Sequence, residues 1–279
     1  MRKKTSNKKS DKPPPEGAEC RIISEGLAKK VGTRICTGIV PVSGRYTKNP
    51  LPGLELFEPT RVVGVGVKGK LIFWILENET FLLNTLGMSG TWTKDPDHSH
   101  VRVRFDFSTG DPVFFVDARN FGTMKVIKGK KTFIDKLNSL GPDLLNEDVS
   151  NERFVEALDK KPHWTVAKAI MNQSVVCGVG NYVKAEALYR AELSPHRLVG
   201  SLSTEELKAL NVCCQIVLRQ AYNGRGASIR TYRDSDGNVG EATLQFMVYG
   251  KSHDPKGNEV VREKTDDGRT THWVPAVQK

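Results

Sequence analysis

"MNQSVVCGVGNYVKAEALYRAELSPHR", Met171 to Arg197, is the stretch that decides how this chain folds. Two helical patterns meet there at Gly178, Gly180 and Asn181. A glycine-rich turn lets two helices pack closely. The same turn points backbone N–H groups out of a helix start, where they can hold a phosphate. Packing alone accounts for such a turn, so anion binding is read as an added role.

Outward from this segment, helical spacing recurs in "KTFIDKLNSLGPDLL" (131–145), "SNERFVEALDKK" (150–161), "TVAKAIMNQSVV" (165–176) and "STEELKALNVCCQIVLRQAY" (203–222). Several open on Ser, Thr or Asn, and Ser203 with Glu206 has the spacing of a capping box. Upstream the pattern changes. From Gly38 to about Lys128 the chain alternates or runs apolar, rich in Val, Ile and Phe and punctuated by Gly, Asn and Asp. That half predicts an antiparallel β-sandwich or barrel, preceded by one short helix from Glu16 to Lys29. Downstream, "LQFMVYGK" (244–251) and "RTTHWVPAVQ" (269–278) look like two strands of a terminal β-hairpin. The expected fold class is α+β in two domains: a basic disordered tail over 1–14, a β-sandwich domain over 15–130, a helical domain over 131–242 and a finger over 243–279. No internal repeat is visible.

The formal charge of +10 points to a polyanionic partner, because clustered Lys and Arg bind phosphates with counterion release. Half of it sits in residues 1–14, where six Lys and Arg face Asp11 alone. Such a tail serves solubility, a nuclear address or a DNA tether. No apolar run approaches the ~18 residues of a membrane span, and the N-terminus lacks the apolar region of a secretory signal. An intracellular protein in the nucleus or another DNA-containing compartment is expected, with no membrane partner. The five cysteines form no CxxC pair and their odd number argues against a disulfide framework, so reduced, mostly buried thiols are expected.

Several motifs, in order, resemble the formamidopyrimidine-DNA glycosylase and endonuclease VIII family, over Pro15 to Gln278. "PEGAE" (15–19) is similar to that family's opening segment. The resemblance implies that the Pro15 amine attacks the damaged nucleotide's sugar at C1′, with Glu16 as the neighbouring acid/base. The resulting iminium is an electron sink that makes phosphate elimination easy. "VKGKLIFW" (67–74) carries Lys70, which resembles the family's strand-tip lysine and assists elimination. In "TLGMSGTW" (85–92) and "DARNFGTMKV" (117–126), Met88, Arg119 and Phe121 match the residues that fill the hole left by an extruded base. Extrusion costs about a few kcal/mol, which apolar wedges and an Arg help to offset. His98, in "DHSHV" (97–101), matches a phosphate-contact position, whereas Thr85 stands where the family usually has a histidine.

The opening quotation resembles the family's helix-two-turn-helix, with Asn181 as its phosphate-gripping residue. "VYGKSHDPKGNEVVREKTDDGRTTHWVPAVQK" (248–279) resembles its C-terminal zinc finger, with Arg269 as the phosphate clamp. Val274 and Val277 replace two ligands, and His253 with His272 cannot supply the four that zinc needs. A zincless finger, no metal and no cofactor are therefore expected. "GRGASIRTYRDSDGNVGEA" (224–242) resembles a lesion-capping loop. The implied activity is a bifunctional, monomeric DNA glycosylase and abasic-site lyase acting on damaged DNA with oxidised bases or abasic sites.

One feature of the sequence opposes that chemistry. Within "KPPPEGAE" the Pro15 nitrogen is an amide with no nucleophilic lone pair. Three possibilities stay open: the preceding residues are removed, the true product starts later, or Pro15 is blocked. In the last case a substitute amine such as Lys70 acts, or the protein binds lesions without cutting. A basic nucleic-acid binder with no lesion preference is the blander alternative.

Overall fold

The computed structural model describes residues 13–226 and 244–279. Most of the expected tail (1–12) and most of the expected capping loop (227–242) lie outside the described residues.

Helix α1 (Gly17–Val31) follows Glu16, whose N–H is held by the Glu19 carboxylate, and ends at Gly32. Its apolar residues sort onto two faces. Cys20, Ile23, Leu27 and Val31, at i, i+3, i+7 and i+11 spacing, pack into the β-sandwich core, while Ala18 packs into the helical core. The helix is therefore a shared wall between the two halves.

The sandwich consists of β1 (Ile35–Pro41), a one-turn helix α2 (Arg45–Lys48), β2 (Thr60–Lys68), β3 (Leu71–Leu76), β4 (Thr80–Thr85), β5 (Gly90–Thr93), β6 (Val101–Phe107), β7 (Val113–Asp117) and β8 (Thr123–Lys128). Four strands run in the order β5-β7-β6-β1 and four in the order β2-β3-β4-β8. The two sets are joined by a short ladder, Ile35 with Arg61 and Cys36 with Thr60, which lets them fold over one core. In β6 the alternation is clear, with Val101, Val103 and Phe105 buried and Arg104 exposed. Trp74 packs tilted against Phe105 and Trp92 at the centre, ring centroids 5.0 and 5.4 Å apart. Strand β3 is instead apolar throughout, and β4 is buried from Thr80 to Asn84. Their outer face is covered by α3 (Lys130–Asn138), whose Phe133 stacks on Phe81 at 4.1 Å.

The helical half contains α4 (Asn151–Asp159), α5 (Val166–Met171), α6 (Asn181–Arg190) and α7 (Thr204–Asn223). Ser150, Thr165 and Ser203 each accept an N–H from their own first turn, and Ser203 with Glu206 completes the capping box. Phe154, Ile170, Tyr182, Leu188, Leu210 and Leu218 fill the core.

The terminal hairpin differs from expectation. Its strands are β9 (Val261–Lys264) and β10 (Thr270–Trp273), and "LQFMVYGK" is not a strand. The backbone N–H groups of Met247, Val248 and Tyr249 converge on the buried Glu186 carboxylate at 2.8–2.9 Å. A chain wrapped round an anion cannot also extend into a ladder.

Candidate active site at the domain junction

The two halves meet backbone to backbone, and glycines set the approach. Gly17 N–H donates to the Gly178 carbonyl at 2.9 Å, and a Cβ on Gly17 would lie 2.8 Å from Gly178 Cα. At the β2–β3 tip, Gly69 N–H donates to Asp143 at 2.6 Å and the tip abuts Cys177. These contacts bring the residue before Gly17 and the residue after Gly69, Glu16 and Lys70, to the start of α6. A Cβ on Gly180 would collide with the Glu16 carboxyl and lie 2.5 Å from Lys70 Nζ.

Glu16 is 2 % exposed. Its oxygens accept from Tyr182 N–H (2.8 Å) and Val183 N–H (3.2 Å) in the first turn of α6. Contrary to expectation, these two donors are not open to a phosphate, because a carboxylate of the same chain occupies them. Burial raises the Glu16 pKa to about 7, opposed by the Lys70 ammonium and the two N–H donors and assisted by Glu19. Such a group exchanges its proton near neutral pH.

Pro15, Glu16, Lys70, Met88, Phe121, Asn181 and Arg269 all line one cleft of about 730 Å³ between the two halves. Pro14 also lines it. At the rim, Met88, Arg119 and Phe121 come together. Arg119 Nη1 lies 3.3 Å from Met88 Sδ and its guanidinium 5.8 Å from the Phe121 ring, which is 58 % exposed. The two loops carrying them are tied by the buried Asp117 carboxylate, which accepts from Ser89 Oγ, Arg119 N–H and Gly122 N–H. An exposed aromatic held by a rigid loop is suited to entering a base stack.

Across the cleft, the finger tip is latched to α6. Asn181 Nδ2 donates to the Thr270 carbonyl at 2.8 Å. Lys184 Nζ, fully buried, meets Asp267 at 2.5 Å, with the Asp267 side chain 4 % exposed. Asp267 also accepts from Arg269 N–H and Thr265 Oγ1. The Arg269 backbone is thus fixed while its side chain stays exposed toward the cleft.

Two predicted site residues do not line this cleft: Arg119, which stands at its rim beside Met88, and His98, which lies on the β5–β6 loop, where its Nδ1 accepts from His100 N–H. Sequence reasoning missed Asp117, Asp143 and the Lys184–Asp267 pair. Asp143, in "GPDLL", offered the one local signal, an Asp after Pro that accepts from Leu145 and Asn146 N–H in a turn.

The finger does not fit zinc. Residues 244–279 contain no cysteine. Val274, Val248 and Val260 pack with Ala185 and Tyr189 of α6, and Val277 packs against them. The Asp254 carboxylate organises the loop by accepting from Lys256 N–H, Asn258 N–H and Nδ2, and Tyr189 O–H. Apolar packing and an internal anion occupy the interior that a metal would need.

Three descriptions match the chain in order: the formamidopyrimidine-DNA glycosylase N-terminal domain over residues 14–124, its H2TH domain over 140–233 and its C-terminal domain over 235–279. The formamidopyrimidine-DNA glycosylase of Heliobacterium modesticaldum is 32 % identical over 95 % of this chain and its own whole length. That of Oceanobacillus iheyensis is 34 % identical over 77 % of this chain and 78 % of its own. Among solved structures, the MutM (Fpg) protein of Thermus thermophilus superposes with a TM-score of 0.83 at 29 % identity, covering 95 % of this chain and 98 % of its own. A MutM complex with DNA containing carbocyclic 8-oxo-G gives 0.81 at 25 % identity, covering 95 % of this chain and all of its own. The chain belongs to the formamidopyrimidine-DNA glycosylase family.

Proposed function

We propose that the protein is a bifunctional DNA glycosylase and abasic-site lyase, which excises oxidised bases and then cuts the strand. The observation that carries this reading is the convergence in one cleft of Pro15, the Lys70 amine and a buried Glu16 with a pKa of about 7. An amine nitrogen attacks the sugar C1′, the damaged base leaves with the bonding pair, and Glu16 supplies the proton the opening sugar takes up. The iminium then acidifies the neighbouring C2′ proton, and its loss expels the phosphate. Met88, Arg119 and Phe121 fill the vacated stack, while Asn181 and Arg269 grip phosphates. His98 adds a phosphate contact away from the cleft. One chain supplies all these groups, so a monomer in a DNA-containing compartment suffices, and no described helix is long and apolar enough to cross a membrane.

One observation favours a second reading, a lesion or abasic-site binding protein. The Pro15 nitrogen is bonded to Pro14, which itself lines the cleft. Borohydride trapping on an abasic-site duplex, followed by mass mapping of the adduct, separates the two. A chain beginning at Pro15 is expected to crosslink through that residue, and a full-length chain through Lys70. Tight binding with no adduct from either chain overturns the enzyme reading in favour of the binding one.

A further inference from the structure

Behind Lys70, on the side away from Pro15, lies a second cavity of about 260 Å³. Its floor is apolar, made of Leu71 and Leu83 from the outer face of β3 and β4 and Leu140 beyond α3. Its rim is cationic: Lys68, Lys70, Lys125 and Lys136. Lys68 is neutralised by Glu147 at 3.1 Å, but among the described residues no ion pair is formed by Lys125 or Lys136, and Lys70 faces the proton-exchanging Glu16. Ammonium groups gathered round a small apolar floor repel one another unless an anion joins them. The two cavities share Lys70, Thr85 and Gln173, so a chain threaded through the first reaches the second without leaving the protein surface.

We propose that this cavity is a subsite for the nucleotide next to the lesion on the same DNA strand, its phosphate held by Lys125 and Lys136 and its ring or sugar resting on the leucine floor. The volume is slightly below the ~300 Å³ at which ligand pockets begin, which suits one nucleotide and excludes a helix or strand of a protein partner. The cross-strand register supports the placement. Leu83 faces Lys125, and Thr85 faces Thr123 with their hydroxyls 2.6 Å apart, so one leucine of the floor, one lysine of the rim and the edge of the reactive cleft share the β4–β8 ladder. A strand engaged at Lys70 is thereby held on both sides of the reacting sugar. This subsite rests on the proposal that damaged DNA occupies the cleft.

The test is a binding cycle that needs no chemistry. Affinity is measured for duplexes carrying a stable abasic-site analogue, with and without a neutral methylphosphonate at the phosphates flanking it, for wild type and Lys125→Ala/Lys136→Ala. Neither lysine is placed in the catalytic machinery, and both side chains lie at the surface, so the variant is expected to melt like wild type. Neutralising the contacted phosphate should weaken wild-type binding about tenfold, the equivalent of ~1.4 kcal/mol, and leave the variant unaffected. Because the two lysines share one phosphate, the salt slope of the variant should fall by about 0.9 in all. An equal loss for both proteins on the neutral duplex, or an unchanged salt slope, overturns the subsite. If the wild type shows no preference for the abasic analogue at all, it is the proposed function that fails instead.

Discussion

Glu16 is held between opposing demands, and its behaviour follows from their balance. Burial favours the neutral acid, while Lys70 and the Tyr182 and Val183 N–H groups favour the anion; burial wins, and the pKa rises from 4.5 to about 7. The folded protein therefore binds this proton more tightly than the unfolded chain. Stability from Glu16 is fully present below about pH 4.5 and is lost as pH rises through about 7. Melting temperatures measured across that window should decline in wild type more than in Glu16→Gln, and parallel declines would contradict the assignment. Arg269 is the opposite kind of residue. Its backbone is tied down and its side chain is exposed, so Arg269→Ala should impair processing of lesion duplexes yet change stability by less than about 0.5 kcal/mol. A large drop in melting temperature would make the arginine a structural residue. Glu16, Lys70 and Arg269 were singled out in the sequence by their resemblance to short family motifs, not by local chemistry, and the fold brings all three to one cleft. What was not legible was the partner of Glu16, an α6 turn whose two donors lie 166 and 167 residues away.

Among the elements, the finger shows what replaces a metal. The hairpin holds its tip on α6 through Lys184 with Asp267 and Asn181 with Thr270. Breaking a buried pair on one side leaves an uncompensated charge, at a cost of ~3–5 kcal/mol. Lys184→Met should therefore destabilise strongly by denaturant melts, and Lys184→Met with Asp267→Leu should recover most of the loss. A mild single variant would show that the latch is not what positions the tip. His272 lies on the same strand, 5 % exposed, its two ring nitrogens without hydrogen-bond partners among the described residues and its ring edge-on to Tyr249. Burial, with Arg262 and Lys184 nearby, lowers its pKa from 6.5 to about 4. A depressed base contributes stability that is complete above pH 6.5 and lost as pH falls through about 4. His272→Phe should flatten this acid limb in pH-dependent melting, and an unchanged limb would place the titration elsewhere. The helices and the sandwich strands announced themselves through period and caps. The "LQFMVYGK" segment misled because its apolar residues do pack, on the finger and helical cores, while its backbone is committed to Glu186.

Across the whole molecule, the reactive cleft exists because two domains touch through glycines. Helix propensity alone predicts that Gly17→Ala gains stability, by less than the ~1 kcal/mol of a helix interior because Gly17 is the first residue of α1. The Gly178 backbone stands 2.8 Å from the added Cβ, so the domains must move apart. That variant should lose stability and lose trapping on abasic DNA more than it loses DNA binding; a stabilised, fully active Gly17→Ala would disprove the close junction. The glycines were visible in the sequence as turn residues, which Gly69 and Gly178 are, but only the fold shows that Gly17 and Gly178 also press on one another. The most direct test of the account is single-turnover release of an oxidised base from duplex DNA, comparing wild type with Glu16→Gln at neutral pH in a chain that begins at Pro15. The account predicts release from damaged but not undamaged duplex, slowed at least about 100-fold in the variant with its fold intact. Equal rates for the two proteins, or no discrimination between duplexes, would contradict it.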